Sequence, residues 1–337
     1  MKNPRARNNF VSRTCSIIGT GSYVPEKILT NADLEKMVET SDEWITTRTG
    51  IKERHIAAAN EYTSDLATQA ALRAMKMAGI TAGQIDLIIV ASITPDMPFP
   101  STACLVQQKI GARHIPSFDI EAACSGYLYA LEIGQHFIAS HAFETVLVIG
   151  AEKLSAITNW KDRNTCVLFG DGAGAAILQH RENSHGLLTT ALGADGSKAG
   201  LLSMPGGGSR CPATAQSVAD GLHFLRMDGK ETFKNAVQAM CHAAKEALRR
   251  CELDITQIKC VIPHQANRRI IDAVGERLGT KPEQLFINLH KYGNTSAASV
   301  AIALDEAAHS GKIARGDLIL IVAFGAGLTW GAAVIEW

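Results

Sequence analysis

Three residues capable of nucleophilic or hydrogen-bonding chemistry occupy similar places in the sequence. Cys124 follows the apolar run S-F-D-I-E and opens a helix-like segment, His264 ends the run K-C-V-I-P, and Asn294 precedes a helix-like segment of small residues. A thiol in the first turn of a helix lies near unpaired N–H groups and the positive end of the helix dipole, which favours the thiolate. Together the three favour a site in which the cysteine is the nucleophile.

The neighbours of these residues fit the same chemistry. Cys124 is flanked by Ala, Ala, Ser and Gly, which would let a substrate carbonyl approach both the sulfur and backbone amides. The run F-G-A-G-L-T-W-G near the end offers bare backbone N–H groups for an oxyanion. Each residue alone also has an ordinary explanation: a cysteine in the core, a structural or capping histidine, and an asparagine that caps a helix. The combination favours a catalytic site.

The chain that positions these residues alternates between strands and helices. Short apolar, β-branched runs recur from S-I-I-G-T-G near the start to A-A-V-I-E-W at the end. Amphipathic segments between them predict helices at 64–78, 126–140, 232–251 and 298–310. Nearly continuous apolar strands that alternate with helices indicate sheets covered on both faces, so we predict an α/β fold.

The order of elements also occurs twice. D-L-I-I-V-A-S, a helix, T-V-L-V-I-G-A and A-A-I-L-Q fill the first part, and K-C-V-I-P-H, a helix, L-I-L-I-V-A-F-G-A and G-A-A-V-I-E fill the second. We therefore predict an N-terminal extension at 1–15 and duplicated halves at 16–184 and 185–337. The segment 193–220, rich in Gly, Ser and Pro, is either a functional lid or a surface loop.

Composition and charge exclude several classes of function. The chain has 33 basic and 33 acidic residues, so no overall field attracts nucleic acid or an anionic membrane. Its apolar runs are strand-sized and too short to span a bilayer. The basic start lacks the apolar core of a secretory signal, so we expect a cytoplasmic protein whose eight cysteines are reduced thiols.

No motif indicates a metal or a cofactor. The cysteines form no C-x-x-C pair, and no Cys/His cluster has the spacing of zinc ligands. The early run I-I-G-T-G-S-Y-V-P fails the dinucleotide-binding pattern because Val24 stands where the third glycine belongs. We expect neither a metal nor a cofactor.

From about residue 16 to residue 337 the sequence resembles the thiolase-fold condensing enzymes, and within them the β-ketoacyl-acyl-carrier-protein synthase III family. The resemblance rests on E-A-A-C-S-G, P-H-Q-A-N, G-N-T-S-A-A-S, F-G-A-G-L-T-W-G and the run S-D-E-W-I-T-T-R-T-G-I-K-E-R-H. It implies a thiolase-like fold of two duplicated halves, with mixed five-stranded sheets in an αβαβα layered arrangement.

The motifs separate this family from its relatives. Elongating ketoacyl synthases use a second histidine where Asn294 stands, and thiolases carry a second catalytic cysteine near the end. The glutamate of hydroxymethylglutaryl-CoA synthases has no matching motif. The G-F-G-P-G run of chalcone-synthase-like enzymes and the C-G-S-C-W run of papain-like proteases are absent. Ala326 and Leu328 depart from the pattern of the synthase III family and leave the primer open.

The resemblance implies a decarboxylative Claisen condensation with Cys124, His264 and Asn294 as the catalytic residues. Acyl-CoA, with acetyl-CoA the expected primer, would acylate Cys124, and the backbone N–H groups of Cys124 and Gly327 would form the oxyanion hole. Malonyl-acyl carrier protein would then lose CO2, and its enolate would attack the acyl-cysteine. CoA enters as a substrate, so no cofactor is implied.

The family also implies binding residues around this site. Trp44 and Arg163 would enclose the adenine of CoA, Arg48 would lie near its phosphates, and Asn267 would border the pantetheine tunnel. The expected acyl-pocket residues are Phe169, Met227 and Phe99, the last reaching across a homodimer interface to the partner's pocket. The residues expected to dock the acidic carrier protein are Arg268, Arg269 and Lys234.

Three alternatives remain open at this point. A relative in a secondary pathway would join another acyl or aroyl primer to malonyl units, and would use free malonyl-CoA instead of the carrier protein. A catalytically silent scaffold of an acyl-transfer complex would not need all three catalytic residues. A cysteine hydrolase would release free acid or peptide instead of forming a carbon–carbon bond.

Overall fold

The computed structural model describes residues 14–181 and 186–337. Its strands are β1 (Cys15–Tyr23), β2 (Ile28–Thr30), β3 (Glu53–His55), β4 (Leu87–Ala91), β5 (Ser117–Ile120), β6 (Thr145–Glu152), β7 (Gly172–His180), β8 (Leu187–Ala194), β9 (Leu202–Ser203), β10 (Arg226–Met227), β11 (Cys260–Pro263), β12 (Leu318–Gly325) and β13 (Thr329–Glu336). Its α-helices are α1 (Asn31–Leu34), α2 (Asp42–Thr49), α3 (Thr63–Ala78), α4 (Thr102–Lys109), α5 (Gly126–Ala139), α6 (Ala215–Ala219), α7 (Gly229–Arg250), α8 (Arg268–Leu278), α9 (Leu289–Tyr292) and α10 (Ala298–His309).

The first sheet has five strands in the order β1-β7-β6-β4-β5. Strand β4 runs parallel to both β5 and β6, and β7 joins β6 and β1 by antiparallel pairing. Strands β4 and β6 are buried along their whole length. This burial explains why their sequences are continuously apolar.

The second sheet repeats this pattern with four strands, and a single bridge takes the place of the fifth. Its order is β11-β12-β13-β8, with β11 and β12 parallel and the other pairs antiparallel. In the place that corresponds to β5, Leu285 forms a single parallel bridge with Val261. The prediction of five strands is thus correct for the first sheet only. Residues 285–288, between a 3-10 turn (Pro282–Gln284) and α9, form only this single bridge and not a strand.

The layers follow the predicted αβαβα order. Helix α3 covers the outer face of the first sheet, and α7 packs on β12 and β13 on the outer face of the second. Helices α5 and α10 lie between the sheets, where Tyr127, Leu128 and Val300 belong to one core cluster with strands of both sheets. The predicted thiolase-like fold is therefore confirmed.

The predicted elements are present, but one strand of the two large sheets was missed, as were the two-stranded sheets β2-β3 and β9-β10. The predicted helices correspond to α3, α5, α7 and α10, and the predicted strands to β1, β4 to β7 and β11 to β13. Strand β8 was not predicted. Its sequence L-L-T-T-A-L-G-A is only partly buried, because it lies at the edge of the second sheet.

Parts of the predicted domain division fall outside the described residues. The predicted boundary between the halves, 184/185, lies within residues 182–185, which are not described, and residues 1–13 of the predicted extension are not described either. Cys15, the last residue of the predicted extension, pairs with His180 in the first sheet. The segment 193–220 contains β9, which pairs with β10, and α6. In the described part of the chain, no helix combines the length and apolarity needed to cross a bilayer.

Candidate functional site

Cys124, His264 and Asn294 line one cavity of about 2020 Å³. Cys124 lies between β5 and α5, and His264 lies between β11 and α8. Asn294 lies between α9 and α10. All three side chains are buried. The structure therefore brings together residues that are up to 170 positions apart in the sequence.

Cys124 lies in a tight 3-10 turn (Ala123–Ser125) between β5 and α5. Ala123 has a positive φ of 46°, a conformation that costs a non-glycine residue about 1–3 kcal/mol and must be held by its surroundings. The Ser125 hydroxyl donates to Thr329 Oγ1 at 2.7 Å, and the Thr329 hydroxyl donates to the Ala122 carbonyl at 2.9 Å. The start of β13 thus holds the turn that carries the nucleophile.

The end of β12 also packs against the backbone of the nucleophile. A Cβ atom on Gly325 would lie 2.6 Å from the Cys124 nitrogen, closer than any real contact allows. Glycine at this position therefore lets the segment 325–327 approach the turn. The approach brings Gly327 into the wall of the cavity that Cys124 lines.

Burial dominates the ionisation of Cys124. Desolvation by burial is the main cause that raises the thiol pKa to about 12; the Ser296 hydroxyl and the local backbone oppose the rise, and the Glu152 carboxyl adds to it. A rise of three pKa units corresponds to about 4 kcal/mol. A helix N-terminus offers about 0.3–1 kcal/mol, and about 2 kcal/mol at most. The effect of the helix N-terminus, which favours the thiolate, is therefore opposed by a larger effect of burial, which favours the thiol.

His264 is held as a neutral hydrogen-bond donor. Its ring Nδ1 lies 2.5 Å from Ser299 Oγ, which already accepts the backbone N–H of Gln265 at 3.4 Å. Among the described residues the Ser299 hydroxyl has no other acceptor for its proton, so we assign it as the donor to Nδ1, which places the ring proton on Nε2. Burial lowers the imidazole pKa to about 3 and keeps the ring uncharged.

Asn294 presents its amide nitrogen to the cavity. Its backbone is fixed by bonds to Leu168 and Gly170, at 2.8 and 3.0 Å. Its side-chain Oδ1 accepts the Ser296 N–H at 2.8 Å, so Nδ2 keeps its donors for a ligand. The alternative role of helix cap is not observed, because the N-cap of α10 is Ala297.

Three of the predicted CoA residues, Trp44, Arg48 and Asn267, line the cavity, and Arg163 lies beside Trp44. The guanidinium carbons of Arg48 and Arg163 lie 4.6 and 5.6 Å from the Trp44 ring centroid, within cation–π distance. Asn267 caps α8 by accepting from the Arg269 N–H and donates to the Arg48 carbonyl. Asn267 is therefore held between α8 and the end of α2.

The remaining predicted residues divide into two groups. Those that line the cavity with the catalytic residues are Phe169, Met227, Gly327, Trp44, Arg48, Asn267 and Arg269. Among the described residues, those outside its lining are Arg163, Phe99, Arg268 and Lys234. Phe99 is 84% exposed in the loop between β4 and α4. Arg268 forms an ion pair with Asp272 at 2.8 Å.

The sequence did not reveal the residues that support the catalytic ones. Ser299 sets the histidine tautomer, Ser125 and Thr329 hold the nucleophile turn, and Glu152 lies buried beside Cys124. Ser299 and Ser125 belong to the quoted motifs. Nothing in those motifs shows which distant partner each hydroxyl contacts.

The fold and the Cys–His–Asn cavity define a thiolase-fold condensing enzyme. The family profile of 3-oxoacyl-[acyl-carrier-protein] synthase III matches residues 118–196, and the profile of its C-terminal part matches residues 248–337. Beta-ketoacyl-[acyl-carrier-protein] synthase III of Caldanaerobacter subterraneus subsp. tengcongensis is 59% identical over 95% of this chain and 97% of that protein. The protein of that name from Desulfitobacterium hafniense is 54% identical with the same coverage.

Solved structures agree with these relatives. The 3-oxoacyl-[acyl-carrier-protein] synthase III of Aquifex aeolicus superposes with a TM-score of 0.90 at 50% identity, over 96% of this chain and all of that one. A priming β-ketosynthase of a polyketide biosynthetic pathway gives a TM-score of 0.89 at 34% identity, over 96% of each chain. The chain belongs to the β-ketoacyl-acyl-carrier-protein synthase III family. It is a condensing acyltransferase that initiates fatty-acid synthesis.

Proposed function

We propose that the protein condenses an acyl-CoA primer, with acetyl-CoA the expected one, with malonyl-acyl carrier protein through an acyl-Cys124 intermediate. The supporting observation is the chemistry of the shared cavity. It combines a buried thiol with two neutral donors, the Nε2–H of His264 and the Nδ2–H of Asn294. A nucleophile and donors for a developing enolate are what the two half-reactions require.

In the first half-reaction the sulfur of Cys124 attacks the thioester carbonyl of the primer. The backbone N–H groups of Cys124 and Gly327 stabilise the tetrahedral oxyanion, and CoA leaves. Both residues line the cavity, and the close packing of Gly325 on Cys124 supports this arrangement.

In the second half-reaction the malonyl thioester loses CO2 and becomes an enolate. The enolate oxygen receives hydrogen bonds from His264 and Asn294, and its carbon attacks the acyl group on Cys124. The low pKa of His264 supports this role, because a neutral ring donates a hydrogen bond from Nε2–H to the enolate without transferring a proton to it. A carboxylate in place of Asn294 would repel both malonate and enolate.

The cavity also suggests how each substrate is held. Trp44, flanked by Arg48 and Arg163, binds the nucleotide of CoA, with stacking on the adenine and cations near the phosphates. Asn267 borders the pantetheine arm, and Phe169 and Met227 border the acyl group.

Two macromolecular contacts belong to the proposal. The acidic carrier protein docks on the basic side chains at the start of α8 and on α7; these are Arg268, Arg269 and Lys234, all exposed. The exposed ring of Phe99 supports a homodimer in which it closes the partner's acyl pocket. The two thioesters supply all the reacting groups, so no cofactor is needed.

Intact-protein mass spectrometry with a panel of acyl-CoAs tests the function. We expect a single acyl adduct that is absent from Cys124→Ser and is removed by malonyl-acyl carrier protein. Removal by malonyl-CoA alone would favour the secondary-pathway enzyme. Absence of any adduct would contradict the proposal and favour a scaffold or a hydrolase.

A further inference from the structure

The buried carboxyl of Glu152 lies behind Cys124 and has no part in the reaction described so far. It ends β6, and its side chain lies on the same face of the strand as Gly150 because side chains alternate. On that face a Cβ atom on Gly150 would lie 2.4 Å from the Ala297 carbonyl oxygen. Glu152 therefore faces the turn 296–297 that leads into α10.

Hydrogen bonds around Glu152 are arranged for a carboxylate. Its Oε2 accepts from the hydroxyls of Thr94 and Ser92, at 2.6 and 3.2 Å, and from the Ile93 N–H at 3.2 Å. Thr94 Oγ1 also accepts the Lys153 N–H, and Ser92 Oγ accepts the Thr94 N–H, so both hydroxyls are directed to donate to Glu152. Oε1 accepts only the Ile93 N–H at 3.3 Å among the described residues and can take another proton donor.

Ser296 lines the cavity with Cys124 and belongs to the turn that Glu152 faces. It is 1% exposed, has a positive φ of 48° and lines the cavity. No described residue forms an aligned hydrogen bond with its hydroxyl. The hydroxyl is nevertheless close enough to lower the pKa of both the Cys124 thiol and the Glu152 carboxyl.

The acylation of Cys124 requires an acceptor for the thiol proton. His264 is unsuitable because its Nε2 carries a hydrogen and burial keeps its pKa low. Glu152 is the one described ionisable group whose charge acts on Cys124. The ammonium of the adjacent Lys153 is held by the carbonyls of Ala58 and Glu61.

We propose that the Ser296 hydroxyl relays the thiol proton of Cys124 to Glu152 during acylation, an assignment that rests on the proposed function. As the bond from Cys124 Sγ to the acyl carbon forms, the thiol proton passes to Ser296 Oγ and the Ser296 hydroxyl proton passes to Glu152. The thioester C–S bond breaks and its electron pair goes to the CoA sulfur. The proton then returns through Ser296 to that sulfur, so CoA leaves as a thiol and Glu152 is again a carboxylate.

Electrostatics favours a concerted transfer. A thiolate formed beside a charged Glu152 would be repelled, and this repulsion contributes to the raised pKa of Cys124. Passing the proton to Glu152 makes the carboxyl neutral while negative charge develops on the sulfur. Burial raises the Glu152 pKa to about 7, which suits a base that works near neutral pH.

Rapid-quench mass spectrometry of one round of acylation by acetyl-CoA, between pH 5 and 9, tests the relay. In the wild type we expect the rate to rise with pH and level off above a midpoint near 7, where Glu152 becomes ionised. Glu152→Gln and Ser296→Ala should each slow acylation about 100-fold, and Glu152→Gln should lose the pH midpoint. The double variant should be no slower than either single one, because both changes interrupt the same relay.

Two controls separate a relay from a structural effect. Asp305→Asn removes another buried carboxylate, bonded to Ser22 and outside the cavity lining, and should acylate like the wild type. Glu152→Asp should restore part of the rate and the pH midpoint. After full loading with acetate, each Glu152 and Ser296 variant should condense with malonyl-acyl carrier protein within a few-fold of the wild-type rate.

The outcomes distinguish this inference from the proposed function. Failure of the wild type to acylate would overturn the proposed function itself. Normal acylation of both single variants, or slow acylation that keeps the midpoint near pH 7 in Glu152→Gln, would overturn the relay alone. Multiplied losses in the double variant would also contradict it.

Discussion

The hydroxyl of Ser299 lies 2.5 Å from the Nδ1 atom of His264. The serine belongs to α10, and the histidine follows β11 in the second sheet. The contact joins the central helical layer to the sheet and fixes both the orientation of the imidazole and the position of its proton. The donor that faces the cavity therefore depends on a residue outside the cavity lining.

Ser299→Ala should weaken condensation more than acylation. Without the hydroxyl, the proton of His264 can move to Nδ1 and leave Nε2 without a hydrogen to donate. One hydrogen bond of about 1.4 kcal/mol sets the tautomer ratio, so we expect about a tenfold loss of condensation rate. Ser299→Thr keeps the hydroxyl and should recover most of the rate. Equal losses in both half-reactions would contradict the tautomer role.

His264→Ala and Asn294→Ala should separate the two half-reactions. Each removes a donor to the enolate worth roughly 2.7–4 kcal/mol, so condensation should fall by about 10²–10³-fold. Acylation by acyl-CoA should change much less, because the oxyanion hole uses backbone groups. Pre-steady-state adduct formation and product formation measure the two steps, with Cys124→Ser as the variant that loses both.

Glu152→Gln should stabilise the protein at alkaline pH. The native pKa of about 7 lies above the ordinary value of 4.5, so the native state binds more protons than the unfolded chain between these values. The free energy of unfolding of the wild type therefore falls as pH rises from 4.5 to 7. The substitution removes this titration, which is worth at most about 3 kcal/mol.

Denaturant titrations of both proteins at pH 5 and pH 8 measure this effect. The gain from Glu152→Gln should be larger at pH 8. The titration of His264 is common to both proteins and cancels in the difference. A gain that is independent of pH would show that the carboxyl does not titrate as described.

Trp44→Ala and Arg163→Ala should raise the KM for acyl-CoA. Loss of a stacking or cation–π contact of about 1–2 kcal/mol corresponds to roughly 5–30-fold. A truncated acyl thioester that lacks the nucleotide provides the control, because it makes none of these contacts. Equal effects on both substrates would mean that the two residues act on the fold of the site and not on the nucleotide.

Arg269→Ala should weaken the use of malonyl-acyl carrier protein more than Arg268→Ala does. Arg269 lines the cavity, whereas Arg268 already forms an ion pair with Asp272. We expect about a fivefold higher KM for Arg269→Ala and a weaker dependence on salt, as for a partly exposed charge. Malonyl-CoA turnover is the control. A larger effect of Arg268→Ala would assign docking to the other arginine.

The grouping of Cys124, His264 and Asn294 around one cavity was predictable because their residue types and local context carry the information. His264 follows a fully buried apolar strand and Cys124 follows a partly buried one, and such strands are recognisable from a few consecutive residues. Three such residues in one chain, with the glycine run near the end, identified the site before its geometry was known.

The supporting groups could not be predicted from local sequence. Glu152 ends an apolar strand, where a carboxylate usually reaches solvent, and it is buried by the segment 92–94 and the turn 296–297, which are distant in the sequence. Ser299 follows Asn294 by five residues, and its partner becomes clear only when α10 packs on β11. The effect of burial on Cys124 was missed for the same reason, because the helix is recognisable in the sequence but the loss of solvent is not.

Strand β13 has a consequence for the order in which activity arises during synthesis. It forms the middle of the second sheet, between β12 and β8, and Thr329 at its start fastens the turn before Cys124. A nascent chain that has not yet extended past Thr329 already contains Cys124, His264 and Asn294. It cannot complete the second sheet, and such long-range pairing forms slowly. Ribosome-bound or prematurely terminated chains are therefore expected to be inert towards thioesters, and the cell gains a reactive cysteine only with the finished fold.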